Sequence, residues 1–68
     1  MITEENIGLV AGMVWEELKK SEQLPISKIP KAVKEGDIIV YLALGWLARE
    51  GNLKFDSKGN KNLVSLSK

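Results

Sequence analysis

Lysine side chains are the residues of this sequence whose type and spacing point most directly to a chemistry. Three follow one another at three-residue spacing and three more lie in the last third of the chain: Lys28, Lys31 and Lys34, then Lys54, Lys58 and Lys61. On a helix, residues three apart are neighbours, so the first three would form a single basic row. Ammonium groups neutralise phosphates without distinguishing one base sequence from another. The lysines therefore predict, as one alternative, weak and sequence-indifferent DNA binding of a transcription-regulator-like kind; the other interpretation is a solvated surface.

Residues that could support catalysis or bind metal are scarce. The sequence contains neither cysteine nor histidine, so the usual zinc and iron ligand sets and the Cys–His and Ser–His nucleophile pairs cannot be assembled. Glu16, Glu17 and Glu50 could transfer protons, but nothing in the sequence places two of them in an apolar pocket that would divide them into an acid and a base. We therefore predict no catalytic residue, no metal, no cofactor and no small-molecule ligand.

Length and charge describe a small protein with an ordinary surface. The chain has 68 residues, a formal charge of +1 at pH 7 and a pI near 8.0. This length predicts one domain over residues 1–68, near the lower limit at which a core holds without disulfides, metals or association. The charge is well short of that of dedicated nucleic-acid binders. No apolar run reaches ~18 residues and no basic segment precedes a signal core, so we expect a cytoplasmic protein that does not enter a membrane.

The longest stretch with a clear helical pattern runs from Asp37 to Gly51, and its apolar residues fall on two faces. One face has the spacing of a stripe that is pressed into a core: Val40, Ala43, Leu44 and Leu47. The opposite face is also apolar and consists of Ile38, Leu42, Gly45 and Trp46, flanked by Ile39 and Tyr41. A helix that is apolar all round is buried on both sides. Either another segment of this chain or a second molecule must therefore cover the second face.

A first helix is predicted over Thr3–Ser21, with the threonine as its N-cap. Its predicted core stripe consists of Ile7, Val10, Ala11, Val14, Trp15 and Leu18. Leu9 and Met13 lie away from this stripe, and Gly8 and Gly12 lie one turn apart. Glycines at this spacing let another backbone approach closely. We expect the central helix of the same chain to pack there, with an intermolecular contact as the alternative.

A short second helix is predicted over Ser27–Lys34, after Leu24–Pro25 ends the first. Pro30 is tolerated because it lies in the first turn, where its missing N–H does no harm. The residues that would face the core are Ile26, Ile29 and Val33. Glu35–Asp37 then forms a turn, in which we expect Asp37 to cap the central helix.

After Gly51, a helix-ending glycine, the apolar period changes from that of a helix to that of a strand. Apolar and polar residues alternate in Leu53–Asp56 and again in Val64–Ser67, and the basic segment Lys58–Lys61 lies between them. This pattern predicts a two-stranded β-hairpin with a basic tip.

Two motifs and the order of the elements resemble a known family. The motifs are Ile7-Gly8 with Ala11-Gly12-Met13-Val14-Trp15, and Ala43-Leu44-Gly45-Trp46-Leu47-Ala48-Arg49-Glu50. They look like the signature of a small stand-alone winged helix-turn-helix family of unknown function found in prokaryotes. The resemblance implies an α+β fold in which three helices are followed by a two-stranded β-hairpin wing. It also implies a link to nucleic acid taken from winged helices in general, but no established activity.

The central helix does not fit the role of a DNA-reading helix. Such a helix presents polar or basic side chains near its amino end, where this chain has Glu35 and Asp37. Arg49 is the only basic residue of the helix. Inserting the helix into a groove would bury its apolar residues against phosphates and base edges, so direct readout is not expected.

An interaction module is the favoured function. Exposed apolar patches above a few hundred Å² are uncommon on soluble monomers, and a two-fold contact lets a patch pair with its own copy. We therefore expect a non-enzymatic winged-helix module that forms a homodimer. The residues expected at that interface are Ile38, Leu42, Gly45 and Trp46 of the central helix, with Leu9 and Met13 of the first.

Overall fold

Three helices and a three-stranded antiparallel sheet make up the fold in the computed structural model, which describes residues 2–67. In chain order the elements are α1 (Glu4–Ser21), β1 (Gln23–Pro25), a 3₁₀ turn (Ile26–Lys28), α2 (Ile29–Val33), α3 (Asp37–Arg49), β2 (Leu53–Lys58) and β3 (Lys61–Leu66). The predicted α+β class, with a hairpin after three helices, is confirmed.

α1 begins at the predicted cap. The Asn6 N–H donates a hydrogen bond to Thr3 Oγ1 at 3.1 Å, and Glu4 and Glu5 lie in the first turn, at the positive end of the helix dipole. The helix ends at Ser21 and is followed by Glu22, whose backbone has a positive φ of 65°. This residue turns the chain out of α1 and into β1.

β1 is an element that the sequence does not predict, since Leu24–Pro25 reads only as a helix break. The strand pairs antiparallel with β3, with Leu24 opposite Val64, which gives the sheet order β1-β3-β2. Three residues are too few to show an alternating pattern, and a proline is tolerated because this is an edge strand. As a result β3 is the central strand, and its consecutive residues Leu63 and Val64 are both buried.

The second helix is shorter than the predicted span Ser27–Lys34. Pro30 has no N–H with which to bond the Ile26 carbonyl four residues earlier, so the chain first makes the 3₁₀ turn and α2 begins only at Ile29. As predicted, Pro30 lies in the first turn of α2. The helix ends at Val33 and is followed by Lys34, which has a left-handed backbone with a φ of 61°.

α3 begins without a side-chain cap. Gly36 is the N-cap residue, and its carbonyl accepts a hydrogen bond from the Val40 N–H at 3.2 Å. The prediction that Asp37 caps the helix is therefore wrong: Asp37 is its first residue, where its carboxylate lies near the positive end of the helix dipole. At the other end Gly51 has a φ of 78°, as expected of a helix-ending glycine.

The core is apolar and forms where α1 packs against α3 and β3. Its buried side chains come from all three helices and the central strand: Val10, Ala11, Val14, Leu18, Ile29, Val33, Val40, Ala43, Leu44, Leu47 and Val64. The stripes predicted for the first and central helices account for most of this core, with one error. Trp15 is 46% exposed because it lies at the edge of the α1 stripe, where Lys19 Nζ lies 5.7 Å from its ring centroid.

The wing is the hairpin of β2 and β3. Its turn is Gly59–Asn60, and Lys58 and Lys61 are cross-strand partners on either side of that turn. Phe55 lies opposite Val64 but is 55% exposed, whereas Val64 is fully buried. The helices thus cover the centre of the sheet and leave its outer strand open, and the wing projects into solvent.

Candidate functional site

A groove of about 770 Å³ lies between α1 and the amino end of α3, and apolar side chains line it together with Asn6, Glu35 and Asp37. Leu9 and Met13 line it from α1, Ile38 lines it from α3, and Ile2 adds to it ahead of α1. These side chains are all exposed, from 40% for Met13 to 67% for Ile38. Three residues that the sequence analysis assigned to an interface from two different helices therefore line one groove.

The outward face of α3 extends this apolar surface beyond the groove. Ile38, Leu42 and Trp46 follow one another at four-residue spacing, so they form a ridge along the helix, and the last two are 44% and 40% exposed. Gly45 lies beside the ridge, and a Cβ built on it would meet nothing within 4 Å. We call the following set of residues the apolar patch: Leu9, Met13, Ile38, Leu42, Gly45 and Trp46.

Trp46 also makes a contact within the chain. A Cβ built on Gly8 would lie 3.5 Å from Cη2 and Cζ2 of the Trp46 ring. The expectation that the central helix packs on the glycines of α1 therefore holds at Gly8, although 3.5 Å is an ordinary contact distance and requires no close backbone approach. The expectation is wrong for Gly12, which is exposed and where a Cβ would have no neighbour within 4 Å.

The lysines of the second helix are exposed but do not form the predicted row. Lys28 ends the 3₁₀ turn, Lys31 lies in α2, and Lys34 is the left-handed residue after it. Only Lys31 of the three lies within α2, because Lys28 belongs to the 3₁₀ turn and Lys34 follows the helix with a left-handed backbone. The single row expected on one helix is therefore not present.

A cleft of about 340 Å³ between the wing and the rest of the chain brings two of the candidate lysines together. Lys28 lines it from the 3₁₀ turn and Lys61 lines it from the wing. Tyr41 of α3, which is 45% exposed, lines the same cleft. In the sequence, Tyr41 stands only at the flank of an apolar helix face. Its proximity to the lysines depends on the pairing of β1 with β3, which no pattern in the sequence indicates.

The remaining wing lysines lie outside this cleft, and both are exposed. Lys58 is opposite Lys61 at the tip, and Lys54 is opposite Ser65 nearer the base of the wing. Within residues 2–67 the ion pairs join Lys19 to Glu16 at 3.6 Å and Lys20 to Glu17 at 3.9 Å, both on the surface of α1. All six candidate lysines are therefore outside these pairs, and their charges face solvent.

Glu16 and Glu17, the two acids of α1 that could transfer protons, each form an ion pair with a lysine on the surface of the helix. Glu50 lies at the end of α3, where its Oε1 accepts a hydrogen bond from Asn52 Nδ2 at 3.3 Å. In the described part of the chain no three metal-ligating side chains come together. None of the helices described there is long and apolar enough to cross a membrane.

Comparisons with known proteins agree with this geometry. The sequence profile of a family described as "Winged helix-turn-helix domain (DUF2582)" matches residues 1–66. The solution NMR structure of protein BT2368 from Bacteroides thetaiotaomicron is similar, with 26% sequence identity and a TM-score of 0.85 over 97% of this chain and 80% of that chain. A comparison with curated proteins finds no match. The chain therefore belongs to the winged helix-turn-helix family DUF2582, whose function is not established.

Proposed function

We propose that this chain is a non-enzymatic interaction module that pairs with a second copy of itself through the apolar patch. The observation that carries the proposal is the exposed ridge of Ile38, Leu42 and Trp46, which continues into the groove lined by Leu9 and Met13. Burying apolar surface contributes about 25 cal/mol per Å², and no described segment of the chain covers this surface. A second copy offers an apolar surface of the same shape and extent.

The size of the patch supports a dimer. A large side chain exposes on the order of 200 Å² when it is fully free, so the exposed fractions of the patch and of Ile2 amount to roughly 600 Å². This exposed apolar area lies at the upper end of the range of about 300–600 Å² for the largest patch on a monomer. It approaches the area of roughly 800 Å² that each partner buries in a standard interface. The total accessible surface of the chain is 4854 Å². This area is larger than the value of about 4,200 Å² expected for a compact monomer of this mass.

Charge and shape favour an antiparallel arrangement of the two α3 helices. Asp37 lies in the first turn and Arg49 in the last, so antiparallel pairing brings each carboxylate near the partner's guanidinium and opposes the two helix dipoles. Parallel pairing would bring like charges together. A two-fold axis near the middle of α3 also places Leu42 over the partner's Gly45, where the absence of a side chain leaves room for a ridge to enter a groove.

Gly45→Ala is expected to weaken pairing while stabilising the monomer. In the monomer the added methyl group meets nothing within 4 Å. Alanine is more favourable than glycine by about 1 kcal/mol in a helix, which raises the Tm of a domain this small by roughly 4–8 °C. In the dimer the methyl group occupies the space of the partner's Leu42, and overpacking costs about 1–3 kcal/mol. Sedimentation velocity measures pairing, and circular dichroism at low concentration measures the Tm.

Gly12→Ala is the matched control for this variant. It makes the same substitution at an exposed helical position that also has no neighbour within 4 Å, but it lies outside the patch. We expect the same rise in Tm with no change in pairing. If Gly45→Ala pairs as tightly as the wild type, Gly45 is not at the interface. A wild type that stays monomeric at millimolar concentration contradicts the whole proposal.

Nucleic-acid binding is a second candidate function, favoured by the convergence of Lys28 and Lys61 on one cleft. The candidate lysines are outside the ion pairs of the described chain, so their ammonium groups are free to approach phosphates. Such contacts position a protein on nucleic acid but carry no sequence information. Because the lysines lie outside the apolar patch, pairing would leave them accessible and double their number in one particle.

Replacing Lys58 and Lys61 with alanine is expected to lower the affinity for every duplex by the same factor. Each lost phosphate contact reduces the slope of log K against log salt by about 0.9, so the double variant should lose up to roughly 1.8 per protomer. Fluorescence anisotropy with two duplexes of unrelated sequence measures both effects. Lys20→Ala, which removes an ion-paired cation of α1, is the control. It should leave the slope of log K against log salt unchanged for each of the two duplexes. A strong preference of the wild type for one duplex contradicts this candidate.

A further inference from the structure

We propose that the cleft between the wing and α3 binds an unpaired nucleic-acid strand, with a base stacked on Tyr41 and phosphates held by Lys28 and Lys61. The three side chains come from three separate elements, namely α3, the 3₁₀ turn and the wing, and they line one cleft of about 340 Å³. That volume lies within the range of about 300–1,000 Å³ typical of small-ligand sites. The inference goes beyond self-association and gives the second candidate function a specific site and strand type.

The lining of the cleft has the composition that a nucleotide requires. An exposed aromatic ring and two cations line it together with the apolar residues Pro25 and Ile26 and three side chains that carry hydroxyl or amide groups: Ser27, Asn60 and Asn62. Serine hydroxyls and asparagine amides both donate and accept hydrogen bonds, as the edges of bases do. These polar groups lie on the wing and the 3₁₀ turn.

The absence of acidic residues from this lining separates the cleft from the rest of the wing surface. None of the residues that line it carries a carboxylate. The acid of the wing, Asp56, lines a different cleft together with Phe55, and its Oδ1 accepts a hydrogen bond from the Ser57 N–H at 2.8 Å. The two lysines are therefore the charged residues among those that line the cleft, and their positive charge favours an anion such as phosphate.

The aromatic ring is what makes the site selective for a single strand. Lysines alone bind the backbone of a duplex and of a single strand by the same electrostatic attraction. Stacking on an aromatic side chain needs a free base face, and in a duplex these faces are occupied by the neighbouring base pairs. Stacking tolerates any sequence because every base has such a face. The site is therefore expected to prefer unpaired strands without preferring a particular sequence.

The test is fluorescence anisotropy of the full chain with a labelled oligothymidine and with the same strand annealed to its complement. The wild type should bind the single strand more tightly. Tyr41→Ala should weaken single-strand binding by about 5- to 150-fold, the range that one stacked base supplies, and leave duplex binding unchanged. Tyr41→Phe keeps the ring and should bind as the wild type does. Lys28→Ala should instead lower the salt slope for the single strand by about 0.7.

Phe55→Ala is the matched control, because it removes another exposed aromatic residue that lines the neighbouring cleft and not this one. It should leave single-strand binding unchanged. The inference is wrong if the duplex binds as tightly as the single strand or more tightly. It is also wrong if Tyr41→Ala binds the single strand with wild-type affinity. In both cases the proposal of phosphate binding by the lysines still stands. If neither nucleic acid binds, the inference and that candidate are both wrong, while self-association is untouched.

Discussion

Leu42→Glu is expected to leave the chain monomeric at every concentration at which the wild type pairs. Leu42 is 44% exposed in the middle of the α3 ridge, and two-fold pairing would bury two new carboxylates opposite the partner's Gly45. Burying an unpaired charge costs several kcal/mol, and each 1.4 kcal/mol corresponds to about a factor of ten in affinity. Pairing should therefore weaken by more than about 1,000-fold, which sedimentation velocity over a concentration series measures.

The folded monomer should tolerate the same change. Glutamate and leucine have similar helix propensities, and the side chain leaves an exposed position, so the far-ultraviolet circular dichroism and the Tm at low concentration should change little. Phe55→Glu is the matched control, because it makes the same substitution of an exposed apolar residue by an acid on the wing. That variant should pair as the wild type does. An unchanged solution mass for Leu42→Glu would remove α3 from the interface.

Trp46 is a less informative position for this test. Its ring packs against Gly8 of α1, so Trp46→Ala alters the contact between two helices of the same chain as well as the exposed ridge. A loss of pairing in that variant would have two explanations. Leu42 has the advantage that its exposed side chain lies on the outward face of the helix.

Leu18→Ala is expected to have the largest effect on folding. Leu18 is 1% exposed and is among the largest fully buried side chains of the core. Truncating a buried leucine costs about 2–5 kcal/mol, whereas a domain of this size has a total stability of roughly 3–10 kcal/mol. The Tm should fall by at least about 8 °C, and a loss at the upper end of the range would leave the chain largely unfolded. Thermal unfolding followed by circular dichroism measures this.

Leu9→Ala is the control, since it makes the same substitution on the same helix at a position that is 63% exposed. At a concentration where the chain is monomeric, its stability should change by no more than about 0.5 kcal/mol. At higher concentration the two variants should differ in a second way, because Leu9 belongs to the apolar patch and its truncation should weaken pairing. Equal destabilisation by both variants would mean that α1 is not packed as described.

Periodicity in the sequence predicts the parts of the fold that local spacing determines. Val10, Val14 and Leu18 recur at helical spacing and are buried as predicted, and Gly51 ends α3 with the positive φ expected of it. The prediction that Trp15 is buried is wrong because Trp15 lies at the edge of the stripe, where helical spacing is also compatible with a half-exposed ring. Asp37 was misjudged by one position, because Asp at a helix start is favourable both as a cap and in the first turn.

Long-range pairing is what the sequence does not show. Gln23–Pro25 carries no strand signal of its own, yet its pairing with β3 makes β3 the central strand and places the 3₁₀ turn beside the wing. The meeting of Lys28, Lys61 and Tyr41 depends on that pairing. The apolar patch was accessible to sequence reasoning because its α3 residues share one helix face, whereas the cleft combines residues whose proximity only the tertiary structure defines.

Membership of a winged-helix family does not decide between these surfaces, because one fold supports many functions. In this chain the face that a DNA-reading helix would insert into a groove is apolar, and Arg49 is its one cation. The candidate phosphate contacts lie instead in the 3₁₀ turn, α2 and the wing. We therefore propose protein pairing through the outward face of α3 and any nucleic-acid binding through the cleft that Tyr41 lines at the flank of that face.

The central claim is that two copies pair through antiparallel α3 helices, and isotope-filtered NMR tests it most directly. A mixture of ¹³C-labelled and unlabelled chains at millimolar concentration reports only those NOEs that join different molecules. The account predicts NOEs between the Leu42 methyl groups of one copy and the Gly45 Hα protons of the other. Intermolecular NOEs confined to other surfaces, or none at all, would contradict it.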